Sequence, residues 1–139
     1  MFAHTVTIIN HYKDSDGNDK FKKTVFDDCM WNDYVMKSIS SGVITSDKQI
    51  NLTILYHDGY VSPKEFQRVE NKNNLWTLDA KSNKDFVVLG RVTEPISDLQ
   101  SIKDMKENYD KVGIISQVQD DTNVDVADMR KWQVTAKYQ

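Results

Sequence analysis

Residues 131–138, Lys131-Trp132-Gln133-Val134-Thr135-Ala136-Lys137-Tyr138, alternate without a break between polar and apolar side chains. An extended chain sends successive side chains to opposite sides. Trp132, Val134, Ala136 and Tyr138 therefore share one face, and Lys131, Gln133, Thr135 and Lys137 the other. That is the pattern of a half-buried β-strand. Residues 4–12 repeat the style, with His4, Val6, Ile8 and Asn10 against Thr5, Thr7, Ile9 and His11, so both ends of the sequence are expected in a sheet.

Between them, a polar segment rich in Asp, Asn and Gly (residues 13–20) predicts a turn, and residues 21–26 a returning strand that makes a hairpin. Residues 29–36, carrying Trp31, Tyr34 and Val35, predict a third strand. Residues 37–48 contain Ser and Gly without a sustained pattern and read as a long loop, a length that in compact domains often carries function. Residues 49–57 return to strand. Ser62-Pro63-Lys64-Glu65 has the marks of a helix start: a serine cap, proline in the first turn and a glutamate placed to close a capping box. Residues 75–79 and 86–92 predict two further strands. The unbroken apolar run Phe86-Val87-Val88-Leu89 belongs deep in the core. Ser97-Asp98-Leu99-Gln100 is a second capping pattern, and Leu99, Ile102, Met105 and Tyr109 form a helical stripe. Residues 112–118 and 131–138 are the closing strands, flanking an acidic loop over residues 119–130. Seven or eight strands with one or two short helices and a long loop predict one mainly β domain, a small antiparallel barrel or sandwich spanning residues 1–139.

A net charge of −3 argues against tight nonspecific binding to nucleic acid, which needs clustered Lys and Arg. Lys20, Lys22 and Lys23 are the best candidates for a local basic patch, but a solvated strand face is the better account of them. Cys29 is the single cysteine, which excludes an intramolecular disulfide and fits a reducing compartment. Residues 1–5 lack the basic start and apolar run of a signal peptide, and no apolar stretch is long enough to span a bilayer, so no membrane partner is expected.

Chemistry-bearing patterns are sparse. Asp14, Asp16 and Asn18 open like a calcium loop, but Asp19 stands where the sharp turn wants glycine and Val25 where a bidentate glutamate is needed. A polar hairpin tip is the better account. His4 and His11 lie seven apart on an extended strand and face opposite sides, so they do not share a metal. His57 beside Asp58-Gly59 is first a turn and only second half of an acid–base pair. Cys29, beside Met30-Trp31, reads as a buried structural thiol before a nucleophile. The five glycines are scattered and form no phosphate cradle. Nothing calls for a cofactor or points to catalysis. The candidate sites are two interaction loops: Lys37, Ser41, Gly42, Val43 and Ile44 in one, and Asp120, Asp121, Asp125, Asp128 and Arg130 in the other. The carboxylates of the second suit the selection or repulsion of a partner.

The order of these pieces resembles small structural proteins of the head–tail module of tailed bacteriophages. The likeness runs through Phe2-Ala3-His4-Thr5-Val6-Thr7-Ile8-Ile9-Asn10, the glycine-containing turn, residues 21–26 and Cys29-Met30-Trp31. It continues in Asp85-Phe86-Val87-Val88-Leu89-Gly90-Arg91-Val92 and in the closing pair, residues 112–118 and 132–138. Residues 62–69 and 96–109 depart from that pattern. The resemblance, to head-completion or stopper proteins or a related phage family of unassigned function, implies a non-enzymatic ring-forming virion protein of the neck. Such a protein assembles in the bacterial host cytoplasm, joins a portal or adaptor to the tail and helps to retain packaged DNA. The competing expectation is a small acidic phage-encoded binding protein. It would inhibit a host nucleic-acid enzyme or defence system by presenting carboxylates where phosphates bind.

Overall fold

The alternating segment is strand β6 (Lys131–Tyr138) in the computed structural model, which describes residues 3–124 and 130–138. Its apolar face points inward: Trp132, Val134 and Ala136 are buried while Gln133 and Lys137 meet solvent. Five more strands complete the sheet: β1 (His4–Lys13), β2 (Asp19–Ser40), β3 (Val43–Leu55), β4 (Phe86–Leu89) and β5 (Val112–Asp120). All pairings are antiparallel, and the order β1-β2-β3-β6-β5-β4 closes because β4 also pairs with β1. Of the two expected architectures the protein adopts the barrel, with six strands among the described residues rather than seven or eight.

The barrel interior is filled by the inward positions of each strand, including Val6, Ile8, Phe26, Leu52, Val87 and Ile115. All three tryptophans belong to it. Trp76 and Trp132 meet edge-on with ring centroids 4.7 Å apart, and Phe26 and Tyr60 pack on Trp76 at 4.6 and 5.1 Å. Each such contact adds roughly 0.5–1.5 kcal/mol beyond the area it buries.

A second cluster lies outside the barrel. Helix α2 (Leu99–Asp104) and the 3-10 turn Met105–Glu107 place Ile102 and Met105 against Ile9, Phe86, Val88 and Val112. This explains the unbroken apolar run of β4. Val87 faces the interior and Phe86 and Val88 face the helix, so both sides of that strand are covered. The cap of α2 is Asp98 rather than Ser97: its Oδ1 accepts from Ser101 N at 2.9 Å. Leu99, expected in the buried stripe, is exposed.

The long connection from β3 to β4 closes one end of the barrel. Helix α1 (Pro63–Arg68) begins as its sequence predicts, with Ser62 Oγ accepting from Glu65 N, and it buries Phe66 completely. Residues 75–79 do not form the expected strand; only an isolated Tyr60–Trp76 bridge occurs there. A side chain takes the place of a neighbouring strand. Asn10 Nδ2 donates to Thr77 O at 2.7 Å, and Asn10 Oδ1 accepts from Thr77 N at 3.2 Å. Buried Asp85 completes this knot, accepting from His11 N, Asn10 Nδ2 and Asp79 N.

The largest departure from expectation concerns residues 21–48. The strands expected at 21–26 and 29–36 are one 22-residue strand, β2, which pairs with β1 up to Cys29 and with β3 from Cys29 onward. The expected loop at residues 37–48 is the end of that hairpin, closed by Ser41-Gly42 alone. Both turn residues have positive φ, 53° and 78°, which matches the right-handed twist of paired strands and makes a two-residue connection possible.

Candidate functional site

β6 pairs with β3 only from Gln49 onward, so the β2–β3 hairpin outgrows the barrel. Val35 to Ser40 and Val43 to Lys48 pair with each other beyond it, six residues on each strand and about 20 Å at the usual rise. This arm is where the structure places Lys37, Ser41, Gly42, Val43 and Ile44. Its apolar residues are open to solvent: Ile39 is 75% exposed, Ile44 66%, Val43 60% and Val35 51%. Ile39 and Ile44 are direct cross-strand partners and continue the face that carries Trp31 and Leu52 inside the barrel. The inward pattern thus runs on past the point where there is an inside. Val35 and Ile39 were missed among the candidates. The signal available was the Ser41-Gly42 turn pair with Ile39/Ile44 and Ser38/Thr45 spaced symmetrically about it.

The arm is anchored at the barrel mouth. Asp33 accepts from Lys111, Tyr138 and Trp31 side chains. Burial pushes its carboxyl up, but these three donors outweigh that and hold it below the ordinary carboxylate range. Lys48 lies 5.1 Å from the centre of the Tyr138 ring.

The second candidate region stands at the opposite end. Along β3, Gln49–Lys137 is the pair nearest the arm and Leu55–Lys131 the pair nearest the acidic turn. The two sets of candidates therefore do not form one site. Asp120 ends β5, and its Oδ1 accepts from Thr122 N at 2.9 Å. Asp121 accepts from the Gln119 and Gln133 amides, while Arg130 donates to Val124 O at 3.2 Å and lies over the Tyr56 ring. These carboxylates are spent within the turn. Asp125 and Asp128 lie outside the described residues.

Other groups with reactive potential are engaged separately. Cys29 is fully buried, and burial, with Asp28 and Asp27 nearby, pushes its thiol up to about 12, so it holds no reactive thiolate near neutral pH. His4 Nδ1 accepts from Trp31 N, His11 pairs with Asp19 at 2.7 Å, and His57 pairs with Asp28 at 2.8 Å against the Phe26 ring. On the same wall Thr24 Oγ1 accepts from Lys22 Nζ. Asp14 accepts from Asp16 N and Asn18 N, which makes the aspartate-rich segment a hydrogen-bonded hairpin tip. Lys23 points to the face opposite Lys20 and Lys22 and bonds Glu94 O, so the three lysines do not make one patch.

A shallow groove of about 790 Å³ crosses the outer face of β3, β6 and β5. Asn51, Thr53, Gln117, Gln133 and Thr135 line it, with Lys81 its single titratable side chain. Its amides and hydroxyls can donate and accept hydrogen bonds to a polar ligand. Among the described residues, no three His, Cys, Asp or Glu side chains are grouped to hold a metal, and no helix is long and apolar enough to cross a membrane.

No curated protein and no solved structure matches the chain significantly. One family model does, over residues 1–137, nearly the whole of the barrel and its arm. The chain therefore belongs to the family of unknown function DUF6751.

Proposed function

We propose that this protein is a non-enzymatic assembly component whose barrel is a rigid base and whose β2–β3 arm docks on a neighbouring subunit. The arm carries the reading. A two-stranded hairpin standing free in water is marginally stable, and one that displays Ile39, Ile44, Val43 and Val35 is built to be covered. In its most specific form the assembly is the neck of a tailed phage. There the protein forms a ring joining the portal or adaptor to the tail, in the virion, and limits the escape of packaged DNA. The sequence resemblance supports that form, and the arm supplies the contact such a ring requires. Inhibition of a host enzyme by the acidic turn has less support, because the carboxylates of Asp120 and Asp121 are hydrogen-bonded within their own turn.

The test is to shorten the arm. Replacing residues 37–46 by a two-residue Asn-Gly turn, closed by the Met36–Asp47 pair, keeps the hairpin geometry and removes its tip. Because no barrel residue packs on that tip, thermal unfolding should shift by less than about 1 kcal/mol. Infectious particles, scored by complementation of a deletion phage, should be lost. Full infectivity with the shortened arm would remove the assembly reading.

A further inference from the structure

We propose that the cleft between the inward face of β2 and the segment closing the barrel end binds a small carboxylate with an apolar body, held by Lys22. The cleft lies on the other side of Cys29 from the arm, so it is independent of the docking role given to the arm.

Lys22 stands in the inward row of its strand. In β1, Val6 and Ile8 face the barrel interior, and their cross-strand partners are Phe26 and Thr24. Asn10, buried next along the same face, is paired with Lys22. Directly paired residues share a side of the sheet, so Phe26, Thr24 and Lys22 form one row beneath the barrel's closing segment. Residues 57–59 and 73–76 stand over that row, and an open cleft of about 650 Å³ remains between the two.

The ammonium group in this cleft lacks a counter-charge. Among the described residues, no carboxylate comes within ion-pairing distance of Lys22, and its one hydrogen bond goes to Thr24 Oγ1 at 3.4 Å. Asp58 on the cleft wall and Glu70 on the adjoining surface are exposed and stay outside that distance, while Asp28 is taken by His57. Loss of solvent alone holds the half-buried Lys22 amine below the ordinary lysine range. Charges withdrawn from water are ordinarily paired, and an unpaired one costs stability. A bound anion supplies the missing partner.

The other lining groups indicate what carries that anion. Leu75, Phe26 and Trp76 give an apolar floor, while Thr24, Asn73 and Asn74 add hydroxyl and amide groups. One cation with Asp58 on the same wall matches a monovalent carboxylate better than a divalent phosphate. The walls are already fixed. Trp76 N donates to Gly59 O at 3.0 Å and Trp76 Nε1 to Asp58 O at 3.1 Å. His57, bonded to Asp28 at 2.8 Å, packs on the Phe26 ring with centroids 4.7 Å apart. Little is reorganised on binding.

The test titrates the isotope-labelled full chain with phenylacetate and follows the backbone amide shifts. The Lys22, Thr24, Gly59 and Asn74 amides should move together and saturate with a dissociation constant of about 1 mM or lower. Phenylacetamide lacks the charge, acetate lacks the apolar body and inorganic phosphate carries too much charge. Each should bind at least about tenfold more weakly. Lys22→Met and Lys22→Gln should both weaken phenylacetate at least about tenfold, and Lys22→Met should melt at or above the wild-type temperature, since it removes an unpaired charge. Absence of a saturating shift at this cleft, equal binding of any of the three comparison compounds, or unchanged affinity in both variants would overturn the site. A Lys22→Met protein that melts below the wild type would show that the ammonium group is already compensated within the fold, and would overturn it too.

Discussion

Asp85→Ala should destabilise the protein by about 2–4 kcal/mol, because it takes the acceptor from His11 N and Asp79 N and one of the two acceptors from Asn10 Nδ2. His11 N reaches Asp85 Oδ1 at 2.9 Å, while Asn10 Nδ2 and Asp79 N reach Oδ2 at 2.9 and 3.1 Å. Together they tie β1 to the segment that closes the barrel end, at a residue only 1% exposed. Urea unfolding measures the loss. The same residue gives stability a pH dependence. Burial pushes its carboxyl up to about 7 in spite of the three donors, from an ordinary value near 3.8. The folded state then holds a proton that the unfolded state has released, so stability is full below about pH 4. It falls as pH rises through the interval to about 7, and above that it is level. The fall attributable to Asp85 is on the order of 4 kcal/mol. It should appear as the difference between the wild-type and Asp85→Ala profiles, the variant being flatter between pH 5 and 7. A wild-type profile that rises through this window relative to the variant would contradict the assignment.

Gly59→Ala should cost about 3 kcal/mol for one methyl group, from backbone strain and steric displacement together. Gly59 sits at φ +92°, and a Cβ there would fall inside the contact distance of the Asn74 carbonyl oxygen. Neither neighbour is free to yield. Gly59 O accepts from Trp76 N at 3.0 Å, and that hydrogen bond fixes the Tyr60–Trp76 bridge over the aromatic core. Gly42→Ala is the control. Its φ is also positive, at +78°, but nothing stands within 4 Å of the added carbon, so only strain of about 1 kcal/mol applies. Equal losses in the two variants would mean that the Asn74 contact relaxes without cost.

These two residues also show where the sequence was legible and where it was not. The bounds of β6 follow from alternation alone, since one face is buried along its whole length. The apolar run of β4 and the Ser62 cap were equally readable, each being a local pattern with a single physical cause. Asp58-Gly59 was readable as a turn, but the Asn74 carbonyl that makes glycine obligatory comes from fifteen positions away. The Asn10–Thr77–Asp85 knot joins three distant segments, and it replaced a strand with a side-chain clasp that no periodicity announces. The arm was misread for the opposite reason. Neither face of residues 37–48 is buried, so selection for a core never imposed alternation there. The sequence singled out the tip residues as candidates, but the paired arm that carries them was not legible in it. The acidic turn was visible as charge, but the hydrogen bonds of Asp121 with Gln119 and Gln133 depend on cross-strand register.

Quantitative mass spectrometry of purified phage particles, normalised to the portal protein, tests the central claim most directly. The proposed neck role predicts a fixed copy number per particle comparable with a ring. Clear expression in infected cells with no copies in intact particles would contradict it.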